Sequence, residues 1–306
     1  MRETRAREPE IGGKRHRVFS RAACLAALLI LACGSPSSSR EVTDGVGRTV
    51  QLPAKIERIV TLAPDVTEMV DAAGGGERIV GTDSFSDMPP RVKALPKVGD
   101  LQPSVEAIAA LAPDLVIASN NGNPPSLARA LAGARIPLYV LRSDRLDAIP
   151  QALRSLGAIL GTGEVAEASA REFERGMQRG SRRRSTNPKV LVMLWPQPLY
   201  VAGEKTYIDD LLRLAGAGNA VKAEGWPAYS LEALAASPPD LILFPGRAIP
   251  ASEIEKLKST VAWRDLEAIR NGGIYPMPDD EFLRPGPRLV RGLEELNRIL
   301  DAWESR

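Results

Sequence analysis

The residues of this chain that could carry chemistry are mostly carboxylates, because histidine and cysteine occur only near its start. The sequence has one histidine, His16, and two cysteines, Cys24 and Cys33, among 306 residues. Beyond Cys33, no site can therefore use a His/Cys zinc set, a Ser-His-Asp triad or a cysteine paired with histidine. Acid–base catalysis by paired carboxylates, as in glycoside hydrolysis, stays open by residue count alone.

Two glutamates recur at equivalent positions of an internal repeat. Residues 104–118 and 230–244 are identical at eight of 15 positions, and each segment begins Ser-x-Glu. The serine of each segment is a typical helix N-cap, and Glu106 and Glu232 in the first turn would complement the helix dipole. A single duplicated unit is too little for a solenoid and indicates two related lobes.

Two further polar pairs flank predicted helices. Asp65 and Glu68 follow an apolar run in an Asp-x-x-Glu pattern, which predicts a capping box. Asp280 and Arg284 precede a Pro-Gly-Pro-Arg turn that leads into the last helical pattern. They could contact a ligand or form an ion pair that braces the turn, and the sequence leaves both open. Arg288 is expected on the helix-packing side.

Motifs for nucleotide binding and acyl transfer are absent or out of context. The Gly-x-Gly-x-x-Ala pattern at 161–166 follows a helical pattern and not a strand, so it lacks the setting of a dinucleotide site. The sequence contains neither a GxxxxGK[ST] loop nor a GxSxG elbow. The formal net charge is +2 without a long basic block, so no nucleic-acid partner is indicated.

The first 33 residues are typical of an export signal. Residues 1–21 carry seven Lys or Arg, and residues 22–33 form an apolar run of 12. That run is too short for a membrane span, which needs about 20 residues. It ends Leu-Ala-Cys-Gly, similar to a bacterial lipoprotein cleavage site with Cys33 as the lipidated N-terminus. Plain cleavage near Ala32, a membrane anchor and a misplaced start codon are the alternatives.

After a flexible tether at 34–40, short apolar runs alternate with helical patterns, which predicts an α/β fold with mostly parallel sheets. Residues 41–53 alternate around Asp-Gly and predict a β-hairpin. Strands are predicted at 59–62, 79–81, 115–117, 138–141, 190–194, 241–244 and 273–275. Helices are predicted at 65–73, 105–111, 127–132, 146–160, 164–183, 208–214 and 285–303.

The alternation stops at residues 145–185, which contain helical patterns alone. We therefore predict two Rossmann-like lobes, residues 41–145 and 188–306, joined by a helical linker at 146–187 that includes one long backbone helix. Ligands of open α/β sheets bind beyond the carboxyl ends of the strands. Two facing lobes of this kind predict a ligand cleft between them.

Several stretches, in this order, carry a family resemblance: residues 58–68, residues 85–90, the two Ser-x-Glu repeats and residues 280–288. They resemble bacterial substrate-binding proteins for corrinoids, siderophores and haem, and nearest the BtuF-type cobalamin-binding proteins of ABC importers. The resemblance covers nearly all of residues 42–304. It implies a protein that is not an enzyme and has no cofactor of its own. It also implies lobes that rock only slightly about one rigid helix, around a large metal-centred ligand.

The resemblance also implies roles for particular residues. Phe85, Tyr200 and Trp226 fall where the family has aromatic pocket walls, which suit a flat and mostly apolar corrin. Trp195 is a further candidate. Arg284 would bind amide oxygens or the phosphate of cobalamin, or anionic groups of a siderophore, and Asp280 would accept from amide N–H groups.

The implied partners are a permease dimer with its ATPase subunits, and the membrane through the lipid anchor. Glu106 and Glu232 would each project from one lobe into an arginine pocket of one permease subunit, which sets orientation and encounter rate. Where close relatives carry another aromatic residue, this chain has Ser-Asn-Asn at 119–121. That polar wall leaves room for a modified corrinoid, a ferric siderophore or haem. A surface-anchored hydrolase is the alternative from another class.

Overall fold

The computed structural model describes residues 39–122 and 125–306 of the chain. The predicted export signal with its lipidation site Cys33 lies outside the described residues, and so do residues 34–38 of the predicted tether. Among the described residues, no helix is both long and apolar enough to cross a membrane.

The N-terminal lobe is built on a parallel sheet with strand order β4-β3-β5-β6. The predicted hairpin precedes this sheet and begins at Arg40, one residue inside the predicted tether. The strands are β1 Arg40–Thr43, β2 Thr49–Leu52, β3 Ile59–Thr61, β4 Ile79–Thr82, β5 Leu115–Ser119 and β6 Leu138–Leu141. The helices are α1 Pro64–Val70, a π-helical turn Asp71–Gly75, 3-10 helices Gly76–Arg78 and Pro90–Ala94, α2 Val105–Ala110 and α3 Pro125–Gly133. All five residues of β5 are buried, as expected for a central parallel strand covered on both faces.

The linker consists of two helices, α4 Ala148–Leu160 and α5 Gly163–Gly180. The hydroxyls of Thr162 and Ser169 each donate to a carbonyl of the N-terminal lobe at 2.6 Å. On its other side α5 packs on the last helix, α12 Leu289–Glu304, where Gly176 and Gly180 leave room for that helix. A Cβ at either glycine would overlap Val290 or Leu293 of α12. The linker is therefore closely packed on both lobes.

The C-terminal lobe has a second sheet, of order β11-β10-β7-β8, with β9 beside β7. Strands β9, β10 and β11 run parallel to their neighbours, and β8 is antiparallel to β7. The strands are β7 Lys189–Pro196, β8 Leu199–Val201, β9 Gly218–Asn219, β10 Leu241–Pro245 and β11 Ile274–Met277. The helices are α6 Tyr207–Leu214, α7 Leu231–Ala236, α8 Ala251–Ser259, α9 Val261–Arg264, α10 Glu267–Arg270, α11 Asp279–Phe282 and α12.

The predicted fold class is confirmed, since two α/β lobes with parallel sheets are present. Sequence patterns missed β8 and β9, which are three and two residues long, and the four helices α8 to α11. Helix α8 buries only Ile254 and Leu257, so its apolar periodicity is weak. The lobe boundaries drawn near residues 145 and 187 stay predictions.

Candidate ligand-binding cleft

Two of the predicted ligand-binding residues, one in each lobe, lie just after a parallel strand. In the N-terminal lobe Phe85 follows β4, and in the C-terminal lobe Asp280 follows β11. The two edges meet, because Arg284 of the C-terminal lobe lies 2.6 Å from Asp87 and 3.5 Å from the Phe85 carbonyl oxygen. Residues of both lobes thus meet at the strand ends, where the topology predicts the cleft.

Phe85 stands on a loop that buried polar groups hold in place. The Phe85 N–H donates to one oxygen of Asp83 at 2.8 Å, and the Ser86 hydroxyl donates to the other. The hydroxyls of Thr67 and Ser86 are hydrogen-bonded at 2.8 Å. Burial raises the pKa of Asp83, against the lowering effect of these hydrogen bonds. The Phe85 side chain is nevertheless 57% exposed, so a fixed loop presents an apolar ring to solvent.

Three aromatic residues of the C-terminal lobe lie on or beside the β7–β8 pair. Trp195 and Tyr200 are directly opposite in the β7–β8 pair, so their side chains are neighbours on one face. Their exposed fractions are 49% and 41%. Tyr200 also forms a bridge with Ala228, which brings the Trp226 segment beside β8. Trp226 is half-buried, and its ring lies 5.6 Å from that of Tyr207 at a tilt of 54°.

Tyr207 supports two of the predicted ligand-binding residues from behind, and sequence reasoning missed it. Its phenol donates to the carbonyl of Leu283 at 2.8 Å, next to Arg284, and its ring supports Trp226. Burial raises the pKa of Tyr207, and the nearby charge of Asp65 raises it further, so the phenol keeps its proton. The only signal was its place as the first residue of α6 after the N-cap Thr206.

The capping box predicted from Asp65 and Glu68 is wrong. Helix α1 has Ala63 as its N-cap, and no side chain caps it. Pro64 at the first helical position starts the helix one residue earlier than predicted, which puts Asp65 inside the first turn. Asp65 instead accepts a hydrogen bond of 3.1 Å from the hydroxyl of Ser143, which follows β6.

A polar wall extends from this contact. The Ser143 N–H donates to Asn120 Oδ1 at 3.0 Å, and Asn121 Nδ2 donates to the Ser143 hydroxyl at 3.1 Å. The hydroxyls of Ser119 and Ser143 lie 3.3 Å apart. Asn120 and Asn121 are exposed while both serines are buried, so the backbone N–H and the hydroxyl of Ser143 each hold one amide side chain at the edge of the sheet.

Asp65 gives the stability of the protein a specific pH dependence. Burial raises its pKa from 3.8 to about 6, although the hydroxyls of Ser143 and Ser119 favour the charged form. The folded state therefore holds the Asp65 proton more tightly than the unfolded state. Deprotonation of Asp65 therefore lowers the free energy of unfolding as the pH rises above 3.8, and this loss is complete above about pH 6.

Asp65→Asn should remove this cost. The free energy of unfolding of the variant minus that of the wild type should rise by about 2–3 kcal/mol between pH 4 and pH 7. Urea denaturation at several pH values measures it. Asp147→Asn, at an exposed residue, is the control and should give a flat difference. A flat difference for Asp65→Asn as well would contradict the assignment.

Two arginines just before α12 bind carboxylates from both lobes. Arg288 binds Glu68 of α1 through two hydrogen bonds of 2.6 and 2.7 Å. Arg284 contacts Asp87 at 2.6 Å and Asp280 at 2.9 Å. It also lies 3.3 Å from Glu68. Because Glu68 and Asp87 belong to the N-terminal lobe, these pairs tie the two lobes together.

We call this group the interlobe ionic cluster; its members are Glu68, Asp87, Arg247, Asp280, Glu281, Arg284 and Arg288. The bracing pair between Asp280 and Arg284 exists, and Arg247 also binds Asp280, at 2.6 Å. Burial works against the charge of Arg284, but its carboxylate partners outweigh this effect and raise the pKa. Ligand contact by Asp280 and Arg284 stays a prediction.

The repeated glutamates lie on the surface of different lobes. Ser104 and Ser230 each accept a hydrogen bond from the backbone N–H three residues on, so both predicted N-caps are confirmed. Glu106 and Glu232 are exposed in the first turns of α2 and α7. The Glu106 N–H and the Ser104 hydroxyl lower the pKa of Glu106, which keeps it charged.

Cavities alone do not identify the site. One of about 570 Å³ lies between the linker and α6, beside Phe173 and Asp210, and contains none of the predicted site residues. One of about 740 Å³ borders Arg247 and Asp280, and one of about 340 Å³ borders Trp195. We favour the strand ends over the first cavity as the ligand site, because both lobes contribute residues at the strand ends.

No group of three or more His, Cys, Asp or Glu in the described part of the chain could hold a metal ion.

Two α/β lobes joined by packed helices, with the ends of parallel strands of both lobes brought together, are the architecture of two-lobed ligand-binding proteins. A family model described as periplasmic binding protein matches residues 59–281, and the chain belongs to that family. It is accordingly an extracytoplasmic substrate-binding protein of an ABC transporter, in the class that includes cobalamin-, haem- and siderophore-binding proteins.

Individual relatives differ in ligand. The chain is 30% identical over 253 residues to a vitamin B12-binding protein of Pectobacterium carotovorum, covering 80% of this chain and 89% of that protein. The structure of the vitamin B12-binding protein of Vibrio cholerae matches with a TM-score of 0.72 at 26% identity, covering 82% and 99% of the two chains. A haem-binding protein from Roseiflexus matches with a TM-score of 0.73 at 29% identity, covering 81% and 99%.

Proposed function

We propose that the protein binds cobalamin or a related corrinoid in the cleft between its lobes and delivers it to the permease of an ABC importer. Aromatic residues of both lobes carry this proposal: Phe85, Trp195 and Tyr200 are exposed, and Trp226 is half-buried. Phe85 stands on one lobe, and Tyr200 and Trp226 stand on the other, with Trp195 beside Tyr200. A corrin is large, flat and mostly apolar, and aromatic side chains bind such a surface well.

The polar wall supports a corrinoid in particular. A corrinoid carries carboxamide side chains around its ring, and these both donate and accept hydrogen bonds. Asn120 and Asn121 offer the same two functions, and Ser143 holds both of them. Amide side chains fixed before binding lose less entropy when a ligand arrives. The Pectobacterium relative, whose name is vitamin B12-binding protein, adds support from sequence.

Haem is the second candidate, and Tyr200 is the observation that favours it. Tyrosine can serve as an axial ligand of haem iron. The Tyr200 side chain is 41% exposed on the aromatic edge, within a fold that the Roseiflexus haem-binding protein shares. If haem is the ligand, Tyr200→Phe should abolish the spectrum of the ligated iron. If a corrinoid is the ligand, the same change should weaken binding only slightly.

Calorimetric titration with cyanocobalamin tests the aromatic site. We expect one-to-one binding, and about 10-fold to 100-fold weaker binding after Trp226→Leu, because aromatic anchors carry much of a binding energy. Trp303→Leu is the matched control, since Trp303 is also half-buried against the same core but lies on α12. Equal losses in both variants, or none in Trp226→Leu, would contradict the assignment.

Export and docking complete the proposal. We propose that Cys33 is lipidated and anchors the exported protein at the membrane. We also propose that Glu106 and Glu232 dock the two lobes onto the two permease subunits. Their equivalent places on separate lobes, each one residue after a serine-capped helix start, support this role.

A further inference from the structure

Two ion pairs of the interlobe ionic cluster, Glu68–Arg288 and Asp87–Arg284, differ in burial and bonding. Glu68 is 7% exposed, and both of its carboxylate oxygens bind Arg288. Asp87 is 33% exposed and contacts Arg284 through a single oxygen at 2.6 Å. Removing one partner of a buried ion pair is strongly unfavourable when it leaves the other charge without a partner. Arg284 is itself only 12% exposed, but it keeps Asp280 and Glu68 as partners when the more exposed Asp87 returns to water. The Asp87–Arg284 pair therefore opens more easily than the Glu68–Arg288 pair.

The Asp87–Arg284 pair lies next to Phe85 of the predicted aromatic site. Asp87 follows Phe85 by two residues, and Arg284 lies 3.5 Å from the Phe85 carbonyl. Any ligand group that takes the Nη1 of Arg284 has to compete with Asp87 for it. Arg284 would keep its place in that exchange, because Asp280 at 2.9 Å and Glu68 at 3.3 Å still hold it.

The charge of the cluster indicates which ligand groups can compete. Arg284 itself has three carboxylate partners within 3.3 Å, Glu68, Asp87 and Asp280. A ligand carboxylate that replaced Asp87 would lie beside the two that remain and would be repelled by them. An uncharged acceptor such as a carboxamide oxygen avoids this repulsion. The cluster thus favours ligands rich in amides over ligands with free carboxylates.

Resting on the proposed function, we propose that Asp87 is a displaceable counter-ion of Arg284. It occupies the guanidinium and ties the lobes until a carboxamide oxygen of the ligand replaces it, while Glu68 holds Arg288 throughout. Asp87 is then a specificity-determining residue that lowers the affinity for every ligand and lowers it most for anionic ones. Its removal should increase affinity, which is the opposite of what removal of a ligand contact does.

The test compares Asp87→Asn with the wild-type protein. Asn keeps the shape and removes the charge, so cyanocobalamin should bind about threefold to tenfold more tightly, because a larger share of the protein has Arg284 available. Asp71→Asn is the control: Asp71 pairs with Arg91 in the N-terminal lobe at 2.5 Å and is 34% exposed, much as Asp87 is. That variant should bind as the wild type does. Unchanged or weaker binding by Asp87→Asn would overturn the inference and leave the proposed function standing.

A second readout does not depend on the ligand. Hydrogen exchange of the protein alone should be faster at residues 84–87 in Asp87→Asn, and unchanged at residues 66–70, where Glu68 holds its partner. Unchanged exchange at 84–87 would overturn the inference whatever the ligand.

If the wild type binds hemin and not cyanocobalamin, the corrinoid proposal fails. Tighter hemin binding by Asp87→Asn would then still support Asp87 as a counter-ion.

Discussion

Reversing the charge of Glu106 and Glu232 together should abolish uptake while leaving ligand binding intact. Both side chains are exposed in the first turn of a serine-capped helix, one on each lobe. Complementary charge at two fixed points would orient the protein on its transporter and accelerate encounter. Two arginines in their place would be repelled by the arginine pockets that the proposed docking role expects on the permease, so uptake of labelled cyanocobalamin should fall to the level of cells without the binding protein.

The control variant must remove glutamates from equivalent helix positions, so that it destabilises its helices to the same extent. Glu164 and Glu267 are also exposed glutamates in the first turn of a helix, but they lie outside the Ser-x-Glu repeats. The double variant Glu164→Arg/Glu267→Arg should therefore keep uptake. Each single reversal at Glu106 or Glu232 should give an intermediate rate. If the Glu106→Arg/Glu232→Arg protein binds cyanocobalamin normally and still supports uptake, the docking role is refuted.

Neutralising Glu68 should destabilise the protein more than any other single charge removal proposed above. Glu68→Gln leaves the partly buried Arg288 without its main counter-charge and weakens the hold on Arg284. Loss of one partner of a buried ion pair typically costs about 3–5 kcal/mol. For a domain of this size, that corresponds to a melting temperature lower by about 10 °C.

Urea denaturation of matched variants measures this cost. Glu172→Gln removes a carboxylate that pairs with Arg175 and Arg179 on the exposed face of α5, and it should have no resolvable effect. Arg288→Gln should cost about as much as Glu68→Gln, and the double variant much less than the sum of the two. Additive losses, or a loss of less than about 1 kcal/mol for Glu68→Gln, would show that the pair does not stabilise the interlobe contact.

The fold could be predicted because its signals are local. Short apolar runs identified the main parallel strands of both sheets, since buried parallel strands are apolar on both faces. The repeated Ser-x-Glu identified two N-caps, because a cap depends on residues three positions apart. Elements that bury little, such as β9 and α8, left no pattern strong enough to read.

The contacts that build the site are not local, and for that reason they could not be predicted. Glu68 meets Arg288 across 220 residues, and Asp87 meets Arg284 across 197. At short range Glu68 completes a capping-box pattern, so the sequence favoured the wrong role. Tyr207 lies one residue before the predicted helix 208–214, and only the fold places it between Trp226 and the Leu283 carbonyl.

The position of cobalt in a crystal of the protein with cyanocobalamin tests the central claim most directly, because cobalt is identified by its own anomalous scattering. We expect one cobalt between the lobes, with the corrin ring against Phe85 and Trp226 and its amide side chains near Asn121. A cobalt site elsewhere, such as the cavity beside Phe173 and Asp210, would contradict the assignment of the cleft. No bound corrinoid, in crystals that take up hemin at Tyr200, would make haem the ligand.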